Sequence, residues 1–201
     1  MVKIMNKKKF MLTFVLAIAV IGGLVINHNF KNNKEIVFIH AKTDDYNSLE
    51  ELEGASKIIV IGKKLDETEV KIHYSQIDSN VVLAGCTVSN FEITKVIKNE
   101  NANTKIYNEN IISVAENSFY DNSTNKLYTI DGYKNMEKES EYILFIKDEI
   151  DDLFVIRGVN IGKVDVNKTL NESNYRMSSY GTDRLDEMDI IQEAARDKYL
   201  D

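Results

Sequence analysis

Tyr142–Val159 reads YILFIKDEIDDLFVIRGV, and this stretch decides the fold class. Two runs rich in aromatic and β-branched residues, YILFIK and LFVIRGV, are joined by an acidic turn, DEIDD. Such runs, bounded by turn residues, read as the two strands of a hairpin. Working outward, IGKVDV closes the β-rich part on the C-terminal side. On the other side, LYTIDGY follows a polar loop, SFYDNSTNK, and KIYNENIISVAEN carries one or two more strands. Earlier still, Val81 to Ile97 forms a long β stretch in which Phe91 and Ile93 share a face, with a bulge expected near Val96 and Ile97. Ile58 to Ile61 is a compact β run ended by Gly62. VKIHYSQI is a weaker strand, and IVFIHA a candidate first one.

About seven short strands at irregular spacing predict a mainly β fold, a barrel or a sandwich. The pattern lacks strand–helix–strand alternation, so a nucleotide-binding α/β fold is not expected. One short helix belongs with the strands. Ser48 stands three residues before Glu51, the capping-box spacing, and Gly54 can end the turn, which predicts a helix over Leu49–Glu53 with Leu49 and Leu52 inward. After a polar stretch from Asn167 to Tyr180, the pattern turns helical again from Asp183 to Leu200. Leu185, Met188, Ile191 and Ala195 form one stripe, with Ile190 and Ala194 beside it. An amphipathic helix of this kind packs on its own domain or docks a partner.

The N-terminus addresses the protein. MVKIMNKKKF carries Lys3, Lys7, Lys8 and Lys9 and no acid, and an apolar run extends from Phe10 through Ile26. A basic segment followed by an apolar one is an export signal. The run is at the short end of the roughly 17–25 residues that span a bilayer. No small-residue cleavage pattern follows it, which favours a retained signal-anchor over a cleaved signal peptide. The positive-inside rule then puts the rest of the chain outside a single-pass membrane segment, at residues 10–26. If the segment is cleaved, the chain is secreted. Leu83-Ala84-Gly85-Cys86 has the form of a lipobox, but a lipobox closes the apolar segment of a signal. This one is far downstream, behind the polar KIHYSQIDSN, so it reads as an accident of strand composition.

Thirty-two acidic residues against 25 basic ones give a net charge of −7, and four of the basic ones are the N-terminal lysines. An acidic exported part without a Lys/Arg block argues against nucleic acid as a partner. A single cysteine, Cys86, excludes an intramolecular disulfide, and its apolar, β-prone neighbours predict a buried structural thiol. The chain has no proline and is rich in Lys, Asn, Ile and Glu, a bias that suggests an AT-rich genome.

Candidate chemistry is sparse. His28, His40 and His73 are scattered and form no HxxxH or HExxH pattern, so no metal site is expected. The acidic turn Asp148, Glu149, Asp151, Asp152 lacks the glycine and alternating ligands of an EF-hand, and reads as a hairpin tip that discourages edge pairing. There is no GxSxG, no SxxK and no glycine-rich phosphate loop. No catalytic residue and no cofactor are therefore expected. The least ordinary feature is aromatic: Phe119, Tyr120, Tyr128, Tyr133 and Tyr142 fall within one loop-and-strand region. They seal a core, or else Phe119, Tyr120, Tyr128 and Tyr133 form a binding surface, since tyrosine supplies contact area at low entropic cost.

The segments SLEELEGASKIIVIGKK, TVSNFEITKVIK, LYTIDGYKNMEKESEYILFIK and LFVIRGVNIGKV resemble, in this order, a family of small exported Firmicutes proteins. In that family a SLEEL helix leads into a strand, and a GY…YxLFxK segment and a closing GxxxGK strand follow. The likeness covers roughly Ser48 to Val164. It departs at Glu139-Ser140, where the family has Gly-Glu, and in carrying VKIHYSQI. The resemblance implies a small OB-like, Greek-key barrel and names no reaction.

The expected organisation is a signal-anchor or signal peptide over 1–27, then a linker and first strand over 28–45. A barrel domain follows over 46–166, and a polar linker with the amphipathic helix over 167–201. The expected role is a non-enzymatic extracytoplasmic binding module whose partner is a protein or an envelope component. The alternatives are an envelope-acting hydrolase and a structural or immunity-type partner that docks through its C-terminal helix.

Overall fold

The computed structural model describes residues 35–40, 44–78, 80–100, 102–167 and 182–200, the side chains of 182–186 excepted. The apolar run at 10–26 and the stretch 168–181 lie outside the described residues. From Ile36 onward these residues form one compact unit. Among them are nine strands and two helices, a mainly β fold. The elements are β1 (Glu35–Ile39), α1 (Leu49–Ala55), β2 (Ile58–Tyr74), β3 (Val82–Asn99), β4 (Ile111–Glu116), β5 (Ser118–Asp121), β6 (Lys126–Ile130), β7 (Glu141–Ile150), β8 (Leu153–Ile156), β9 (Lys163–Asp165) and α2 (Thr182–Leu200).

The larger sheet runs β2-β3-β4-β8-β7-β9, and β2 also pairs with β7. Pairing therefore passes from β2 through β3, β4, β8 and β7 and returns to β2. Every step of this circuit is antiparallel except β4–β8, which is parallel. The decisive hairpin is tighter than its sequence suggests. β7 absorbs Asp148-Glu149-Ile150, and only Asp151 and Asp152 remain as the turn, with φ of 50° and 64°. Positive φ at both central residues is the two-residue turn whose twist matches antiparallel strands. Asp148 pairs with Lys57 at 2.5 Å, Asp152 with Lys105 at 2.8 Å, and Glu149 also with Lys105.

Two apolar layers share β2 and β7. Ile58, Val60, Phe91, Ile93, Ile112, Val114, Leu144, Ile146, Phe154 and Ile156 fill the inside of the circuit. Ile59, Ile61, Ile143 and Phe145 point the other way and pack against Leu52 of α1, Val164 of β9, and Ile191 and Ala195 of α2. Both faces of KIIVIG and YILFIK are thus buried, which explains why these runs do not alternate. Ser48 caps α1 by accepting from Glu51 N at 3.2 Å, while the Glu51 carboxylate reaches back to Asn47 N at 2.8 Å. The helix runs through Gly54 to Ala55 and is capped by Ser56, two residues longer than the glycine suggested. Lys98 Nζ then takes the terminal carbonyls of Glu53 and Ser56 at 2.8 and 2.7 Å.

Three sequence expectations change here. The short strand ending at Gly62 and the weak VKIHYSQI are one 17-residue strand, β2. It continues past Gly62 because a Cβ at that position would overlap the Glu92 carbonyl of β3. The expected bulge is present: the register steps from Ile59–Lys98 to Val60–Val96 and skips Ile97. The loop SFYDNSTNK holds a strand, β5, which pairs with β6 in a second sheet of order β1-β6-β5. Within that sheet Asp131 N donates to Ile39 O at 3.0 Å and His40 Nδ1 is 3.6 Å from Asp131 Oδ1. β1 and β6 therefore finish side by side and run in the same direction. So β1, expected beside a linker, is an integral strand.

The molecule has two ends. The start of β2, the β3–β4 loop and the β7–β8 turn share one, tied by the Lys57 and Lys105 ion pairs. At the other, β2 and β3 project as a hairpin arm beyond the circuit, and the β5–β6 hairpin lies against it. Tyr74 OH donates to Asp121 Oδ1 at 3.0 Å across this contact.

Candidate functional site

The connection from β4 to β7 puts its side chains into the end of the circuit below the arm. Tyr133 and Met136 belong to the inner apolar layer, and between them and the strands lies a buried ion pair. Lys64, 2 % exposed, and Glu116, fully buried, are 2.8 Å apart. Lys64 Nζ also donates to Glu67 Oε1 at 2.8 Å and to Met136 O at 2.7 Å. Glu116 Oε1 accepts from Ser89 Oγ at 2.5 Å, and Oε2 accepts from Tyr133 OH at 3.2 Å and Met136 N at 2.5 Å. All three ammonium protons and both carboxylate oxygens are engaged. A catalytic acid or base must have a proton or lone pair to offer a substrate, and this pair has none spare. Its chemistry is to lock the β4–β7 connection to β2 and β3.

Asp121 is the second saturated carboxylate. Its Oδ1 accepts from Ser123 N and Oγ at 2.8 and 2.7 Å, and its Oδ2 from Thr124 Oγ1 at 2.8 Å. These bonds, the Ser123 hydroxyl first, lower its pKa to about 2 despite burial. The seam between Asp131 and Asn160 differs. Asn160 Nδ2 donates to Asp131 O at 2.9 Å, yet Asp131 Oδ2 and Asn160 Oδ1 are buried with no hydrogen-bond partner in the protein. Among the described residues no three His, Cys, Asp or Glu side chains group so as to hold a metal ion.

The aromatic residues separate into two places. Phe119 and Tyr128 stack with ring centres 5.2 Å apart and planes at 8°. Phe119 is 1 % exposed because it sits on Gly85 of β3, where a Cβ would come within 2.6 Å of its ring. Tyr133, also 1 % exposed, faces the inner layer, and Lys163 Nζ is 3.8 Å above its ring centre. Tyr142 is buried, and its hydroxyl accepts from Glu137 N at 2.7 Å. Of the four residues read as a binding surface, only Tyr120 is half-exposed, while Phe119, Tyr128 and Tyr133 are interior. They do not make a common open face. Sequence could not separate these roles, since a tyrosine in a hairpin reads alike in core and surface.

Leu83-Ala84-Gly85-Cys86 lies inside β3, paired with Lys71–His73 of β2. Its glycine serves Phe119. Cys86 is half-buried rather than buried, and burial pushes its thiol pKa up. A raised pKa leaves little thiolate at neutral pH, so this is not an activated nucleophile.

One sheet face is partly exposed, and the sequence did not single it out. Ile112, Val114, Phe154 and Ile156 point inward, so Ile111, Ser113, Ala115, Leu153 and Val155 point outward. The parallel register puts Ala115 beside Val155, and Asn90 and Glu92 of β3 flank Ser113 and Ile111. Ile111 is 51 % exposed. The apolar contacts of both helices go mainly to β2, β7 and β9, away from this face. α2 packs with Met188, Ile191, Gln192 and Ala195 buried, and Gln192 Nε2 donates to the carbonyls of Asn160 and Lys163 at 3.1 and 3.2 Å. Ile190, read as lying beside the stripe, is 68 % exposed.

This arrangement defines a mainly β protein with interior polar pairs and one partly exposed sheet face. No family model matches the chain, and no curated protein matches it either.

Proposed function

We propose that the protein is a non-enzymatic binding module on an OB-like barrel, held outside the cell membrane through residues 10–26 or secreted after cleavage there. The circuit of five strands with one parallel pair has the strand order of the OB-like Greek-key barrel that the sequence resemblance implies. In such barrels the second and third strands of the circuit carry the ligand face, and here these are β3 and β4. That analogy alone assigns no ligand. The observation that carries the reading is the outward face of Ile111, Ser113, Ala115, Leu153 and Val155, largely apolar, partly exposed and away from the main apolar contacts of both helices. Small residues at its centre let a partner approach the sheet closely. Its chemistry fits a protein or envelope component with an apolar contact of its own, and no nucleic acid.

The test compares the full chain with Ala115→Arg, which adds bulk and charge at the centre of the face. The variant should keep the wild-type unfolding curve and lose photo-cross-links, formed from position 113, to the envelope partner found with wild type. Equal cross-linking by a folded Ala115→Arg protein would remove this face from the reading. A chain shortened after Asn167 that loses capture while remaining folded would shift the site to α2. Turnover of an envelope polymer by the purified protein would favour the hydrolase.

A further inference from the structure

The arm displays apolar side chains that the fold does not use. Ile77 at its tip is 99 % exposed, Leu83 65 %, Val81 46 % and Val70 43 %. This display is built rather than frayed. Ser75 Oγ accepts from the backbone N–H of Ile77 and Asp78 at 3.2 and 3.4 Å, and Asp78 Oδ1 accepts from Asn80 N at 2.9 Å. Val81 N donates to Asp78 O at 3.0 Å, and Ser75 N donates to Val81 O at 2.8 Å. The backbone donors of Ser75, Ile77, Asp78, Asn80 and Val81 thus bond within the turn, which lessens their cost on leaving water for lipid.

Three observations concern the occupant. The chain ahead of the described fold joins it at Glu35, and β1 runs parallel to β6, so Glu35 starts beside Lys126. That is the end where the β5–β6 turn meets the arm through Tyr74 and Asp121. The same strand shows Ile36 and Phe38, 47 % and 39 % exposed, on one side. Charge also runs along the arm in order. Asp66, Glu67 and Glu69 lie at the barrel side, where Asp66 is bonded to Asn90 and Glu67 to Lys64, and Lys71 and His73 lie toward the tip. Asp78 in the turn offsets the charge of Lys71, which also pairs with Glu69 at 3.3 Å, so most acids gather at the barrel side and the tip half is mainly apolar, as suits a lipid boundary.

We infer that the β2–β3 arm is a lipid-contacting element, whose Ile77, Val81 and Leu83 enter the headgroup boundary of the bilayer. This rests on the proposed membrane tether, and on β1 starting at the end of the domain where the arm lies. The arm would hold that end at the lipid and turn the opposite end away from it.

The experiment uses the full chain with Cys86→Ser, and a single environment-sensitive fluorophore on Ile77→Cys or, as control at the opposite end, on Ile150→Cys. The labelled chains are reconstituted into phosphatidylglycerol–phosphatidylethanolamine vesicles with and without nitroxide-labelled lipid. The expected result is blue-shifted emission at position 77 that the nitroxide lipid quenches, with water-like, unquenched emission at 150. Water-like emission at 77 in a chain that sediments with the vesicles overturns the inference and leaves the tether intact. A blue shift without lipid quenching assigns the tip to a protein surface and overturns it too. Intact mass of the protein from host membrane and medium tests the tether separately. If the chain is found shortened in the medium, vesicles are added to that released form. Quenching at 77 then upholds the arm without the tether, and its absence ends the proposal.

Discussion

β2 and β3 pair along nearly their whole length, yet the two halves of this ribbon obey different rules. From Ile58 to Lys64 both faces of β2 are buried, and the strand carries apolar residues at successive positions because each side has its own core. From Asp66 to Tyr74 most residues of the same strand are exposed, and support comes mainly from the partner strand and the β5–β6 hairpin. A two-stranded ribbon alone is marginal in water, so the arm depends on Gly85–Phe119 packing and the Tyr74–Asp121 bond. The lesson is that strand continuity does not mean uniform stability. Each half should respond to substitution in its own way.

The largest effect is expected at the base. Glu116→Ala strands the Lys64 ammonium in the interior and should cost about 3–5 kcal/mol in urea unfolding. Replacing both partners, Lys64→Met with Glu116→Leu, should recover most of that loss. A single variant as stable as wild type would show that the pair does not lock the base. Next comes the junction: Gly85→Val forces Phe119 off the arm and should cost about 1–3 kcal/mol. Faster amide exchange in β5 and β6, with β7 unchanged, is the accompanying signature. Equal exchange everywhere would deny the two halves separate stabilities.

A pH titration isolates the same junction. The Asp121 pKa of about 2 lies below the ordinary carboxylate value near 3.8, so its contribution is complete above that value. It is lost as pH falls from about 4 toward 2, because the proton then binds the unfolded chain more readily. Asp121→Asn should therefore be less stable than wild type at pH 6 and draw level near pH 2, as read by unfolding midpoints. A constant gap across that range would refute the assignment. The smallest effect is expected at the tip, where Ile77→Ser should change stability by no more than about 0.5 kcal/mol.

Much of the fold was legible where a residue pattern has a single physical cause. The hairpin at 142–159, the Ser48 cap, the bulge at Ile97 and the C-terminal helix could each be read from spacing alone. The arm could not. Gly62 punctuates the sequence like a strand end, whereas its missing side chain serves the close approach of Glu92, and the ribbon passes straight through. β5 was hidden because Asn122, Ser123 and Thr124 look like loop residues, and Phe119 gains its meaning only from Gly85, distant in sequence. The partly exposed face on β4 and β8 escaped for a related reason. Ile111, Ala115 and Val155 look like core residues, and only the register of two strands far apart in the chain shows which side they take.

The parallel pairing of β1 with β6 has a mechanical consequence. When the chain ahead of Glu35 is pulled against the C-terminal end of β6, tension acts along the axis of β1, so its inter-strand bonds shear together instead of opening one after another like a zipper. Pulling single molecules from that side should release β1 in one abrupt step, while the strands of the larger sheet stay in place. β1 thus works as a mechanical fuse, one that yields before force on the N-terminal side reaches the core.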